Sequence, residues 1–236
     1  MKAVNLTHYL ANNSYPGRGI LVGKSQDGTK AMIVYFIMGR SENSRNRIFV
    51  ETADGIQTKA YDESKMTDPS LIIYTPVRAS QESAIVTNGD QTNTIYDFLA
   101  KGKTFEDALH TRTFEPDSPN FTPRISAIAI FDGTFSYKIA ILKSNNHNSA
   151  SVERFFYEYT EPVNGEGHLI HTYQGDGNPI PSFEGEPVLV TIPDDIDDFA
   201  GEIWEHLDAD NKVSLYGCSI DFKTGERKSR IVNKHQ

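Results

Sequence analysis

The sequence is short of several things, and each shortage removes a class of protein. It has a single cysteine, Cys218, so an internal disulfide and a cysteine-based zinc site are both excluded. One unpaired thiol is what a reducing cytoplasm allows, and cytoplasmic residence is the expectation. No run of about 18 apolar residues occurs, so no membrane-spanning helix is expected. The first residues, MKAVNLTHYLANNSYPGRG, lack the sustained apolar stretch of a secretory signal. Neither a GxGxxG dinucleotide loop nor a GxxxxGK[ST] phosphate loop is present, which disfavours NAD and ATP. The seven histidines make no HExxH or other tight ligand spacing, so neither a metal nor a cofactor is expected. Internal repeats and low-complexity segments are also missing.

What remains is an acidic chain of 236 residues with net charge −9, enough for one large domain over 1–236. An overall acidic charge argues against nucleic acid as a partner. With 13 Phe and 11 Tyr there is apolar material for a substantial core. The charge is uneven. Residues 1–47 carry Lys2, Arg18, Lys24, Lys30, Arg40, Arg45 and Arg47 against only Asp27 and Glu42. Residues 193–210 carry eight acids and no Lys or Arg, which reads as a solvated helix face. The basic first segment is suited to a small anion.

Strand signals dominate. Gly19–Lys24 and Lys30–Met38 flank an Asp27-Gly28 turn and predict a hairpin. Arg47–Thr52, Leu71–Val77, Ser83–Thr87, Arg124–Phe131, Tyr137–Lys143, Val152–Tyr159, His168–Gln174 and Val188–Ile192 read as further strands. Lys212–Phe222 is expected to end the sheet. Helical spacing appears over Thr92–Leu109, with a break at Gly102, and over Asp195–Leu207. There Ile196, Phe199, Ala200, Ile203, Trp204 and Leu207 form one apolar stripe behind an acidic cap. Many strands and few helices give an α+β fold.

Four polar segments could carry chemistry. The first begins at Tyr15–Gly19 (YPGRG), a tight turn, and continues through Gly23 to GRSENSRNR (39–47), which places Arg40, Arg45 and Arg47 just after a strong strand, where guanidinium forks match phosphate oxygens. The alternative is an exposed loop with ordinary ion pairs. Tyr74, at a strand end, and the Asn88-Gly89-Asp90-Gln91 turn could present a phenol and an amide, or could be core and surface. TFEPDSPNFTPR (113–124) spaces Glu115, Asp117, Asn120, Thr122 and Arg124 along a proline-stiffened loop. Its ordinary reading is a loop braced by an Arg–Glu pair. TYQGDGNPIPSFEG (172–185) could be a lid or a plain connection.

Taken together, YPGRGI, GRSENSRNR, the Asn-Gly-Asp-Gln turn and TFEPDSPNFTPRI resemble the archaeal-type IMP cyclohydrolase family over about residues 15–135. TYQGDGNPIPSFEGEP is similar more loosely. The resemblance implies a four-layer α-β-β-α sandwich like the N-terminal nucleophile hydrolases. It implies closure of 5-formamidoimidazole-4-carboxamide ribonucleotide (FAICAR) to IMP and water without metal or cofactor. It also implies roles for Glu115, Tyr74 and Arg124 in catalysis, and for Arg40, Arg45, Arg47, Asn88 and Asn120 in holding substrate. The partner expected is thus a purine nucleotide, with no nucleic acid and no membrane; assembly into a homo-oligomer stays open. Two rivals remain: a purine-nucleotide-binding protein without turnover, and an amidohydrolase of the same fold. The second needs a nucleophile at the mature N-terminus, where the chain reads Met1-Lys2-Ala3 and the nearest hydroxyl is Thr7.

Overall fold

The computed structural model describes residues 2–235. Two antiparallel sheets carry the chain, with few helices. The first sheet has the order β11-β10-β1-β2-β12-β13. Its strands are β1 (Arg18–Lys24), β2 (Lys30–Met38), β10 (Glu166–His171), β11 (Val188–Thr191), β12 (Lys212–Asp221) and β13 (Arg227–Asn233). The second runs β3-β4-β5-β6-β7-β8-β9. It comprises β3 (Arg47–Thr52), β4 (Gly55–Ala60), β5 (Val77–Ala79), β6 (Ser83–Thr87), β7 (Arg124–Ile130), β8 (Ser136–Asn145) and β9 (Asn148–Tyr159). The hairpin foreseen at Asp27-Gly28 is the β1–β2 pair.

Side-chain alternation sets the layers. Ile20, Val22, Ile33, Tyr35 and Ile37 from the first sheet meet Phe49, Ile56, Val77, Ile125, Ala127 and Ile139 from the second in one core. The opposite face of the first sheet, with Leu21, Met32, Val34, Phe36 and Leu215, is covered by α1 (Leu6–Ala11) and α5 (Ile196–His206). Ile85, Ile128, Ala140 and Leu142 on the outer face of the second sheet are covered by α3 (Gln91–Leu99) and α4 (Phe105–His110). The apolar stripe of α5 faces the core, and Asp195 caps it by accepting from the amides of Asp197 and Asp198. The break at Gly102 separates α3 from α4. A short α2 (Glu42–Arg45) links β2 to β3.

Three expectations need correction. Leu71–Val77 is not a strand; only Val77 is in β5. Here the Thr58 hydroxyl bonds the carbonyls of Ile72 and Tyr74 at 2.9 and 3.0 Å and accepts from the Tyr74 amide at 2.7 Å. The Thr58 backbone amide also donates to the Tyr74 carbonyl at 2.9 Å, so one residue of β4, mainly through its side chain, satisfies groups that would otherwise have joined a regular ladder. His168–Gln174 is a strand only as far as His171, after which Thr172 and Tyr173 turn across the sheet end to bond Arg18 and Pro16. The sheet does not end at Phe222, because Arg227–Asn233 returns as β13 along β12.

Candidate active site

Arg18, the first residue of β1, shares the alternation of Ile20 and Val22 and so points between the sheets. Arg47 does the same from β3, in step with Phe49. Both guanidinium groups are buried. Arg47 donates from Nε to the Ser44 carbonyl at 2.7 Å and from Nη2 to the Met38 carbonyl at 3.3 Å, while its Nη1 has no partner. The Nε of Arg18 has none either. Among the described residues no carboxylate lies within ion-pair distance of either side chain. Two buried cations therefore lie together between the sheets without an ion-pair partner, in a buried polar cluster with Glu115, Tyr74, Tyr15 and Tyr173. Burial, with Arg18 adding to it, lowers the pKa of Arg47 against the opposing influence of Tyr74. For Arg18 burial acts in the same direction, but Glu115 and the phenols of Tyr173, Tyr15 and Tyr74 outweigh it and the pKa is raised.

Glu115 is the acid of this cluster. It is 2% exposed, and burial pushes its pKa from 4.5 to about 7 against the pull of Arg18, Arg124 and Arg47, with Asp117 adding to the rise. The loop holding it is pinned from within. The Glu115 amide donates to the Thr122 carbonyl at 2.9 Å, and Asp117 accepts from the amide of Thr122 at 2.6 Å and from its hydroxyl at 2.5 Å. The Thr122 hydroxyl also meets the Tyr173 phenol at 2.5 Å. Tyr74 is fixed by Thr58, and its phenol meets that of Tyr35, on β2, at 2.8 Å. Burial, then the neighbouring Tyr74, raises the pKa of Tyr35. Tyr173 stacks on Tyr15, and its backbone follows Gly17, where φ is +79° and a Cβ would come within 2.5 Å of the Tyr173 ring.

The other expected residues surround this cluster. Arg124 opens β7 on the helix-facing side, donates to Gln91 Oε1 at 2.6 Å and pairs with Asp90 at 2.8 Å; Asp90 also holds Arg112 at 2.5 Å. A Cβ on Gly89 would stand 2.5 Å from Arg124 Nη1 and 2.7 Å from Gln91 Oε1, so glycine lets this bonded pair approach the turn. Asn88 is wholly occupied in bracing: its Oδ1 accepts from the Ile125 amide and from Gln91, and its Nδ2 donates to Pro123. Asn120 Oδ1 accepts from the Ile180 amide at 3.1 Å, tying the 113–124 loop to the Gly/Pro-rich segment. Arg40 fastens the same segment through Asp176 and the Gly177 carbonyl and lies over the Tyr15 ring. Arg45 donates to the Gly39 carbonyl at 2.8 Å and to Asn211 at 3.0 Å. Arg40 and Arg45 are thus engaged in bracing contacts outside the buried cluster of Arg18, Arg47 and Glu115. Thr7 is on α1, its hydroxyl bonded to Asn5, on the far side of the first sheet; Met1 lies outside the described residues.

Sequence reading missed Tyr35 altogether; Arg18, Tyr15, Tyr173 and Gln91 lay within the segments it singled out but were not named as site residues. For Arg18 a signal existed: an arginine in the register of Ile20 and Val22 must be buried with the core or aimed at a ligand.

A family model described as IMP cyclohydrolase-like protein matches residues 15–225. An IMP cyclohydrolase of Methanopyrus kandleri is 32% identical over 173 residues, which is 71% of this chain and 79% of the relative. That of Methanothrix thermoacetophila is 29% identical over 175 residues, 72% and 80% of the two chains. A shorter match, 30% identical over 118 residues, joins it to the enzyme of Methanococcus aeolicus, covering 48% of this chain and 57% of the relative. The matched span runs from Tyr15 past the last residue of the cluster, Tyr173, and on these grounds the chain belongs to the IMP cyclohydrolase-like family.

Proposed function

We propose that this chain is an IMP cyclohydrolase that closes the six-membered purine ring of FAICAR with loss of water. The observation that carries the reading is a buried carboxyl balanced near neutrality beside an unpartnered buried guanidinium, Glu115 beside Arg18. In ring closure the carboxamide nitrogen attacks the formyl carbon, a C–N bond forms, and the nitrogen gives up a proton while the formyl oxygen becomes an alkoxide. A carboxylate at position 115 takes that proton. The alkoxide develops beside cations and phenols already in place, so Arg18 and Tyr74 stabilise it without reorganisation. The oxygen is then protonated, the C–O bond breaks, and water leaves as the remaining N–H proton departs. A group with a pKa of about 7 can hold the proton in one half of this sequence and return it in the other.

Both reacting groups belong to one molecule, so much of the rate comes from holding the reactive rotamer. The phosphate supplies binding energy for that positioning at a distance from the bond being made. Arg40, Arg45 and Arg47 are the proposed clamp. Arg124, Asn88 and Asn120 act by holding Glu115's loop and its neighbours. The helix-sheet-sheet-helix order supports kinship with the N-terminal nucleophile hydrolases, and the buried free thiol of Cys218 supports operation in a reducing cytoplasm.

The test is an ultraviolet assay of IMP formation from FAICAR on the whole chain, with Glu115→Gln as control. Turnover by the native chain and its collapse in the variant are expected. Tight nucleotide binding without turnover would instead make this a binding protein.

A further inference from the structure

We infer that β9 is a homodimer interface, at which the second sheet continues into that of a second copy of this chain across a two-fold axis at Phe156. The two sheets have four edges, and three are guarded. Val4 bridges to Val190 and donates its amide to the Leu189 carbonyl, covering β11. Asn233 accepts from the Phe49 amide at 2.8 Å and donates back to the Phe49 carbonyl at 3.1 Å, closing β3 against the first sheet. The edge strand β13 carries Arg227, Lys228 and Arg230, charges that discourage pairing. The fourth edge, β9, is the longest strand at 12 residues, contains no proline, carries Glu153, Arg154 and Glu158 where β13 carries charges of one sign only, and has Phe155 at 40% exposure. Among the described residues it pairs only with β8, and no backbone hydrogen bond leaves its other side.

A second copy fits this edge by charge as well as by shape. A two-fold axis perpendicular to the sheet keeps each face continuous only when it passes through a residue, because facing residues must share a face. Arg154, Phe156 and Glu158 lie on the helix-facing side: Phe156 packs in the α3–α4 layer, Arg154 donates to the Arg112 carbonyl at 2.7 Å, and Glu158 pairs with Lys138 at 3.2 Å. With Phe156 opposite its own copy, Arg154 faces Glu158 of the second copy, and the symmetry makes that ion pair twice. It is the one register that sets these two residues opposite each other. On the other face it brings Phe155 against Tyr157 of the second copy, an aromatic cross-strand pair. A self-complementary patch of this kind is what a closed dimer requires.

Sedimentation velocity on the whole chain tests this independently of catalysis. At micromolar concentration the native chain should sediment as two copies of 26.4 kDa. Glu158→Arg puts like charges opposite each other in both halves and should raise the dissociation constant on the order of a hundredfold; Arg154→Glu should do the same. Mixing the two variants restores both opposite-charge pairs, so a heterodimer should form. A native monomer, or a dimer that Glu158→Arg leaves intact, overturns the proposal. Should Arg154→Glu lose its fold with its bond to Arg112, amide exchange on the native chain decides. The outward amides of β9 should be protected at high concentration and exchange freely on dilution; equal exchange at both overturns it.

Discussion

Replacing Glu115 with glutamine should make a protein that is more stable and almost inactive. The stability half follows from burial. A carboxyl whose pKa is 4.5 when exposed and about 7 in the fold binds its proton more tightly folded than unfolded. Below pH 4.5 both states are protonated and the group costs nothing. As pH rises toward 7 the unfolded chain ionises first, so stability falls, and above pH 7 the loss is complete. At 1.36 kcal/mol per pKa unit the loss is about 3 kcal/mol. Glutamine keeps the shape and cannot ionise. At pH 8 Glu115→Gln should therefore melt roughly 6–12 °C above the native chain, given ~2–4 °C per kcal/mol at this size. The gap should close below pH 4.5. Over the same series turnover should fall by about 10²–10⁴-fold, with product affinity little changed, and the activity limb near pH 7 should vanish. Thermal melts at pH 4 and pH 8 beside the ultraviolet assay give all three quantities. A variant that melts below the native chain at pH 8 would show Glu115 to be an ionised brace for its loop; unchanged turnover would falsify its role as the base.

Further expectations can be checked on the same preparation. Tyr74→Phe should lower turnover ~10²–10³-fold, as for a lost oxyanion donor; if Tyr74 is only packing, steady-state rates will not move. Arg18→Met, which fills the space without charge, should abolish activity and lower the melting temperature, because Glu115 and the surrounding phenols hold the guanidinium more favourably than water does; full turnover in the variant would remove Arg18 from the site. Arg45→Ala should weaken nucleotide binding ~10–100-fold with Arg45→Lys recovering little, and equal affinity of both variants and the native chain in calorimetry would remove Arg45 from the clamp. Prolonged chelation should leave the rate unchanged, since each step has a side chain to perform it; loss of rate restored by one divalent ion would contradict the mechanism.

The strands and the two longer helices were legible because their signals are local: a continuous apolar run in Lys30–Met38, an Asp-Gly turn, an apolar stripe behind Asp195. The failures came where a distant group overrode local pattern. Leu71–Val77 looks extended, yet Thr58, 16 residues from Tyr74, takes its backbone bonds. β13 is rich in Arg and Lys and reads as a polar tail, but as an edge strand it needs only one partner and tolerates charge. In the site, Glu115 and Tyr74 were nameable from their loops. Arg18 and Arg47 differ from Arg40 and Arg45 in nothing the composition records; burial between the sheets, against bonds to outer loops, separates them.

The buried charges of the cluster also bear on how this sequence can change. Arg47 and Glu115 each sit where burial disfavours the charged form and a neutral residue of similar size would fold at least as well, so stability alone does not retain them. Random mutagenesis screened only for heat resistance should drift at positions 47 and 115 toward neutral side chains. The same screen run with saturating nucleotide should hold those positions, because bound ligand stabilises the fold by about 2.7 kcal/mol at a hundredfold excess over its Kd. The substrate would then decide which of the buried charges the chain keeps.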